Sequence, residues 1–314
     1  MQLLSEEQTR SALPFPDLIN ALEEMFRVGC VMPKRHHHDM EVHGEPDATM
    51  LLMPAWVPGK FVGVKVVNVM PGNSDRKLPA VAAQYLLSDG KTGEMLALVD
   101  GGELTARRTA AASALASRYL SRPDASHLLV LGTGRVAQNL VAAHMCVRPI
   151  KEVTVWGRSA QSAEKLASEV AEQLGVKAGI AEDLDETLKT ADIVSAATLS
   201  SEPLVKGELL KPGTHVDLVG AFKPNMRESD DALVKRAEIY VDTREGCLSE
   251  GGDIFQPLQS GVISEADINA DLFELCQKEH SGRTSSDAVT MFKSVGAALE
   301  DLAGAMLAYR NVNG

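Results

Sequence analysis

Residues Leu128 to Ala143 read LLVLGTGRVAQNLVAA: an apolar strand, then Gly132-x-Gly134-x-x-Ala137, then an Ala-rich helix. Gly132 permits a tight turn, Gly134 lets an external group approach the backbone, and the small Ala137 lets the helix pack closely on its strand. The first-turn amides of that helix favour an anion in the turn. A second strand, Glu152 to Trp156, follows one helix later, so the loop has the βαβ context that a dinucleotide-binding unit requires. The predicted cofactor loop comprises Gly132, Thr133, Gly134, Arg135, Val136 and Ala137. After Trp156, where a ribose-reading carboxylate would stand, the chain reads Gly157-Arg158-Ser159. A carboxylate accepts from a free 2′-hydroxyl, whereas a guanidinium with a hydroxyl suits a 2′-phosphate. Arg158 and Ser159 therefore point to NADPH, with NADH as the weaker cofactor.

The surrounding pattern extends this unit. Strand-like runs at Leu128–Leu131, Val153–Trp156, Ile193–Ala197, His215–Val219 and Ile239–Val241 alternate with helices, which predicts an α/β fold with a doubly wound parallel sheet. Ahead of it, an amphipathic helix around Asp17–Val28 precedes runs at Thr49–Met53, Phe61–Val69 and Val81–Leu87. The turns Pro71-Gly72-Asn73 and Ser88-Asp89-Gly90 punctuate them as in an antiparallel meander. Ala106–Tyr119 reads as a helix, Ser121-Arg122-Pro123-Asp124 as a hinge, and Thr290–Tyr309 as a helix that returns to the first domain.

Composition narrows the function classes. With 314 residues, 45% of them hydrophobic, the chain can build two domains and a large core. No run reaches the ~18–20 apolar residues of a membrane span, and MQLLSEEQTR lacks the basic and apolar regions of a signal peptide. Cys30, Cys146, Cys247 and Cys276 form no C-x-x-C pair, which suits a reduced, cytoplasmic protein. A net charge of −12 without a basic cluster argues against a nucleic-acid partner.

Three separated motifs carry a resemblance: Glu103-Leu-Thr-Ala-Arg-Arg-Thr-Ala-Ala-Ala-Ser-Ala, Gly132-Thr-Gly-Arg-Val-Ala-Gln, and Thr290-Met-Phe-Lys-Ser-Val-Gly-Ala-Ala-Leu-Glu-Asp. The chain resembles the ornithine cyclodeaminase and mu-crystallin family. That resemblance implies a homodimer with a β-rich substrate-binding and dimerisation domain built from both chain ends, residues 1–120 with 290–314. Residues 121–289 would form the NADP(H)-binding Rossmann domain. The family includes cyclodeaminases, ketimine reductases, some alanine dehydrogenases and NADPH-binding crystallins, so it narrows the fold more than the reaction.

One position separates these members. Cyclodeaminases of the family use an Asp after the strand that ends near Gly220, in a segment resembling G-x-D-x-P-G-K. This chain reads Gly220-Ala221-Phe222-Lys223-Pro224-Asn225-Met226, with Phe222 at the Asp position. A phenyl ring cannot shuttle the proton that an amine substrate must lose. A cyclic ketimine already carries its C=N bond and needs hydride delivery and a carboxylate clamp. The longer run Gly220-Ala-Phe-Lys-Pro-Asn-Met-Arg-Glu228 is also similar to that of bacterial Δ1-pyrroline-2-carboxylate and Δ1-piperideine-2-carboxylate reductases of the family, where Phe222 would wall a flat ring.

The resemblance places substrate-carboxylate cations at Arg35, Lys65 and Arg108, with Lys65 and Arg108 central to catalysis. Lys65 lies in the apolar run Phe61-Val-Gly-Val-Lys-Val-Val, where a lysine is costly unless paired or functional, although strand alternation also allows a wet face. Arg107, pointing away from its neighbour, is expected to be structural. For the cofactor, Thr198 follows a strand at its carboxyl end, where ligands of such sheets bind, and could equally be a turn residue. Family analogy puts Val219, Gly220 and Ala221 beside the nicotinamide ribose, and Ser294 over the nicotinamide.

Other features carry less. His36-His37-His38 with His43 lacks metal-ligand spacing, so no metal is expected, and no G-x-S-x-G elbow occurs. Glu182-Asp183-Leu184-Asp185-Glu186 reads as a solvated helix start, and Gly251-Gly252-Asp253 as a loop without an assigned role. The sequence reading is an NADPH-dependent reductase of cyclic imino acids, giving L-proline and L-pipecolate. Alternatives are an ornithine cyclodeaminase using another base, an alanine-dehydrogenase-like enzyme, or a non-catalytic NADPH-binding ligand binder.

Overall fold

The computed structural model describes residues 1–74 and 76–313, Ser74 by its backbone alone. Its contacts divide the chain into two units, Met1–Arg108 with Ala298–Gly314, and Thr109–Ala297. The division falls within one helix, Gly101–Leu120.

The first unit is a six-stranded sheet with helices on one face. Its strands are β1 (Gln2–Leu4), β2 (His36–Met40), β3 (Ala48–Val57), β4 (Phe61–Val69), β5 (Val81–Asp89) and β6 (Met95–Asp100). They lie in the order β1-β6-β5-β4-β3-β2. β2 to β6 form the antiparallel meander that the turn signals predict, and β1 adds in parallel to β6. Helix Phe15–Val28 places Phe15, Leu18, Ile19, Leu22, Met25 and Phe26 on one buried stripe, and Gly29 ends it at φ 75°. That helix packs against Ala298–Asn313, which lies across β3, β4 and β5. Alternation along β4 turns Gly63, Lys65 and Val67 to this covered face. A Cβ at Gly63 would lie 2.3 Å from the Tyr85 hydroxyl, so only glycine lets that ring pack there.

The second unit is an eight-stranded, all-parallel sheet. It contains β7 (His127–Leu131), β8 (Glu152–Trp156), β9 (Lys177–Ile180), β10 (Ile193–Ala196), β11 (His215–Leu218), β12 (Glu238–Val241), β13 (Ile268–Asp271) and β14 (Thr290–Lys293). The order is β13-β12-β14-β11-β10-β7-β8-β9. From β7 the chain winds outward to β8 and β9, then returns to β10 on the other side. The carboxyl ends of β7 and β10 thus form a topological switch point. The core includes Leu129, Leu131, Val194, Val216, Leu218, Val241 and Met291.

The chain end corrects one expectation. Thr290–Tyr309 is not a single helix: Thr290–Lys293 is a buried strand between β11 and β12, and the helix begins at Ala298. Accordingly the second unit reaches Ala297 rather than residue 289, and it starts at Thr109 rather than 121. A strand buried on both faces loses its two-residue alternation, so a short apolar run of this kind cannot be told from a helix by periodicity.

Candidate functional site

In the second unit the turn after β7 has the features its sequence demands. Gly132 adopts φ 113°, and a Cβ there would lie 2.7 Å from the Ala197 carbonyl oxygen. Gly134 is the N-cap of helix Arg135–Met145, without a side-chain cap, and a Cβ on it would meet nothing within 4 Å. Ala137 is fully buried against the sheet. First-turn amides with no side-chain cap, behind a glycine that leaves the backbone approachable, fit a pyrophosphate. Thr133 is half-buried, with its methyl facing Gly157, and Val136 is half-buried. Arg135, Arg158 and Ser159 are exposed. Ser159 has a local task as well, since its Oγ accepts from Ser162 N at 3.2 Å and caps helix Ala160–Leu174.

The turns after β10 and β11 are held by one buried carboxylate. Glu228 Oε1 accepts from Thr198 N and Thr198 Oγ1, both at 2.7 Å. Its Oε2 accepts from Gly220 N at 2.8 Å and Ala221 N at 3.1 Å. Burial pushes the Glu228 carboxyl up and Asp253 adds to this, while Lys293 and the hydrogen bonds from Thr198 favour its ionised form. Val219 remains tied to the sheet through its N–H to Ala196 O. Phe222, just beyond, is 41% exposed. Ser294 is buried and donates to Asp242 Oδ2 at 2.9 Å, and the same oxygen accepts from Val295 N and Gly296 N.

The first unit gathers the three predicted cations in a different setting. Lys65 and Arg108 are 2% and 4% exposed, so Lys65 is on the covered face of its strand and not the wet one. Lys65 Nζ lies 2.8 Å from both Asp301 oxygens and 3.3 Å from Thr105 Oγ1. Arg108 Nε donates to Asp301 Oδ1 at 2.9 Å and Nη1 to Glu300 Oε2 at 2.5 Å. That leaves Arg108 Nη2 without an acceptor among the described residues. Burial lowers the Lys65 ammonium to about 8; Asp301 opposes this, and the charges of Arg108 and the half-buried Arg35 add to it. Burial resists ionisation of Asp301, but Arg108 and Lys65 hold its carboxyl below the usual range. Arg107 turns elsewhere, its Nε donating to Leu13 O and its guanidinium 4.1 Å from the Phe15 ring centroid.

Several residues of these networks escaped the sequence reading. Glu300 and Asp301 sit fully buried in a helix of small apolar residues; like Lys65 they are charges in an apolar run, and that is the signal they carry in the sequence. Gly251-Gly252-Asp253, expected as a loop, is instead the start of helix Gly252–Gln259 with Gly251 as its N-cap, and Asp253 pairs with Lys293 at 3.0 Å and accepts from Ser229 N and Oγ. His36, His37 and His38 are exposed on β2, and no group of three or more His, Cys, Asp or Glu residues able to hold a metal occurs among the described residues.

Comparison with known proteins gives these networks a context. A Delta(1)-pyrroline-2-carboxylate reductase of Paracoccus denitrificans is 40% identical over 304 residues, 96% of this chain and 94% of that one. The structure of Thermococcus litoralis Delta(1)-pyrroline-2-carboxylate reductase in complex with NADH and L-proline superimposes with a TM-score of 0.93 at 36% identity, covering 100% of this chain and 98% of that chain. An archaeal alanine dehydrogenase dimer with bound NAD gives 0.91 at 32% identity, covering 100% and 96%. The profile of the ornithine cyclodeaminase/mu-crystallin family matches residues 2–314, and the chain belongs to that family.

Proposed function

We propose that the protein is an oxidoreductase that reduces cyclic α-imino acids, Δ1-pyrroline-2-carboxylate to L-proline and Δ1-piperideine-2-carboxylate to L-pipecolate, with NADPH preferred over NADH. The observation that carries this reading is the Lys65/Arg108 pair. Asp301 and Glu300 take the Nε and Nη1 edges of Arg108 and part of the Lys65 ammonium, which fixes both cations and leaves Nη2 and an ammonium N–H to a substrate carboxylate. Arg35 adds positive charge to the same neighbourhood. Lys65, at about 8, is protonated at neutral pH and holds a proton within reach of the substrate. When bound, a reduced nicotinamide supplies the hydride for the C=N bond. Phe222 stands where an acid/base Asp would serve an amine substrate, which favours an imine over ornithine as starting material. The relatives named as Delta(1)-pyrroline-2-carboxylate reductases support the same substrate class.

Arg158 and Ser159 support the 2′-phosphate preference, while the solved neighbours hold NADH or NAD. The scatter of Cys30, Cys146, Cys247 and Cys276 along the chain, without a C-x-x-C pair, supports a reducing, cytoplasmic compartment. No helix among the described residues is long and apolar enough to cross a membrane.

We also infer a homodimer through the uncovered face of the first unit's sheet. Leu3, Leu98, Leu86, Val64 and Pro54 form an apolar row across five strands, on the face opposite Lys65. Leu3 is 67% and Met95 55% exposed, and an apolar sheet face of this extent calls for a cover. The neighbour that is itself a dimer supports this.

The test of activity is oxidation of NADPH and NADH with the two cyclic imino acids and with pyruvate plus ammonia, beside release of ammonia and proline from L-ornithine supplied with NADP+ or NAD+. Turnover of the cyclic imines alone is the expected outcome. Faster reaction with pyruvate and ammonia would favour the second reading, a reductive aminase like the alanine dehydrogenase neighbour.

A further inference from the structure

We propose that Glu228 is the positioning residue for the nicotinamide half of the bound nucleotide, because this one buried carboxylate ties together the two strand-end turns that follow β10 and β11. The inference rests on reading the second unit as a nicotinamide-nucleotide site, and it assigns a task inside that site to a residue outside the glycine loop.

The geometry defines what Glu228 does. Its two oxygens take four donors, Thr198 N, Thr198 Oγ1, Gly220 N and Ala221 N, at 2.7–3.1 Å. The Thr198 hydroxyl also accepts from Ser200 N at 3.4 Å, so its own proton goes to Glu228. Four donors and no acceptor are satisfied only by the carboxylate; a protonated acid would aim an O–H at another donor. The Glu228 carbonyl in turn accepts from Leu204 N and Val205 N at 2.9 Å, which pins the segment beyond β10 a second time. The two turns are in close contact, since a Cβ at Gly220 would lie 1.9 Å from the Thr198 carbonyl oxygen.

A fully buried charge needs support, and the fold provides it from strand β14 and from the first turn of helix Gly252–Gln259. Lys293 Nζ lies 3.0 Å from Asp253 Oδ2. Asp253 Oδ1 accepts from Glu228 N at 2.9 Å, Ser229 N at 2.8 Å and Ser229 Oγ at 2.8 Å. Lys293, at the end of β14, thereby holds Asp253, which holds the Glu228 backbone, and its charge also favours the Glu228 carboxylate directly. The glycine loop has its own anchor, Gly132 N to Trp156 O at 2.8 Å. The glycine loop thus has a hydrogen bond that does not depend on Glu228, and in an open parallel sheet it and the turns held by Glu228 lie at the strand carboxyl ends where ligands bind.

The test compares unmodified protein with Glu228→Gln and Glu228→Asp. Calorimetric titrations use NADPH, NADH and the adenylate half alone, supplied as 2′,5′-ADP and ADP-ribose, beside steady-state kinetics with Δ1-pyrroline-2-carboxylate. In Glu228→Gln an amide NH2 must face two N–H donors. It is expected to bind the adenylate halves as the unmodified protein does, to bind the dinucleotide about tenfold to hundredfold more weakly, and to lose kcat while the KM for the imine stays unchanged. Glu228→Asp, too short to reach both turns, should fall between. Equal dinucleotide binding by Glu228→Gln, or weakening of both ligands in parallel, overturns the proposal. If Glu228→Gln does not fold, Glu228→Asp is judged by the same split, and failure of both to fold overturns it as well. Unmodified protein that binds neither ligand overturns the functional reading itself.

Discussion

Lys65 and Asp301 form a buried ion pair at 2.8 Å, although they stand 236 positions apart in the chain. Neither side chain is accessible to water to any useful extent, so each charge depends on the other. Removing one partner leaves an uncompensated buried charge, which costs about 3–5 kcal/mol. Asp301→Ala should therefore lower the midpoint of thermal unfolding by many degrees, and Asp301→Asn should also raise the KM for the imino acid by releasing Lys65 and Arg108. An unchanged midpoint in Asp301→Ala would remove the ion pair from the account.

The pH dependence follows from Lys65. Its ammonium is lowered to about 8 by burial, so the cation is present below that pH and lost above it. The KM for Δ1-pyrroline-2-carboxylate should be flat below about 8 and rise beyond, and Lys65→Arg should move that limb out of range. Stability runs the other way. The unfolded chain binds this proton up to its ordinary value of 10.5, so between the two values unfolding takes up a proton and Lys65 makes the folded state more stable as pH rises. Matching profiles of KM for native and Lys65→Arg protein would disprove the assignment.

Neighbouring arginines offer an internal control. Arg108 is bound to Asp301 and Glu300, whereas Arg107 caps Leu13 O and covers Phe15. Arg108→Ala should reduce kcat/KM for the imine by about two orders of magnitude or more, the scale of a lost charge-assisted contact, with nucleotide binding intact. Arg107→Ala should lower stability by about 1–2 kcal/mol with kcat/KM within twofold. Calorimetry, thermal unfolding and kinetics on the pair separate these outcomes.

Arg158 is exposed at the end of β8, as a 2′-phosphate contact requires. Arg158→Asp should weaken NADPH by about 1.5–3 kcal/mol and leave NADH within a few-fold. Equal affinity of the unmodified protein for both nucleotides would show that the side chain does not read the ribose.

Glycine 220 tests the packing of the turns. An added methyl would lie 1.9 Å from the Thr198 carbonyl oxygen and 2.6 Å from Glu228 Oε1. Gly220→Ala should destabilise the protein by about 1–3 kcal/mol through overpacking, and Gly134→Ala, with nothing within 4 Å of its Cβ, should leave stability unchanged while weakening dinucleotide binding. Denaturant unfolding with and without nucleotide measures both effects.

Some of this was determined by the sequence alone. The glycine turn, its flanking strand and helix, and the alternation that follows are local: each depends on residues within a turn or two, where backbone sterics and apolar spacing act directly. Lys65 stood out for the same local reason, as a charge in an apolar strand. Tertiary structure decided the rest. Whether Lys65 faced water or helix depended on which side of the sheet Ala298–Asn313 covers, and that helix also brings Asp301 and Glu300 to Lys65 and Arg108. Thr290–Lys293 reads as helix or strand until β11 and β12 close on either side of it. Glu228 looks like any surface glutamate beside Arg227 until four backbone and hydroxyl donors converge on it, two from Thr198, 30 positions away, and two from Gly220 and Ala221. Burial and long-range pairing set the energies of these groups, and neither is written in the spacing of neighbouring residues.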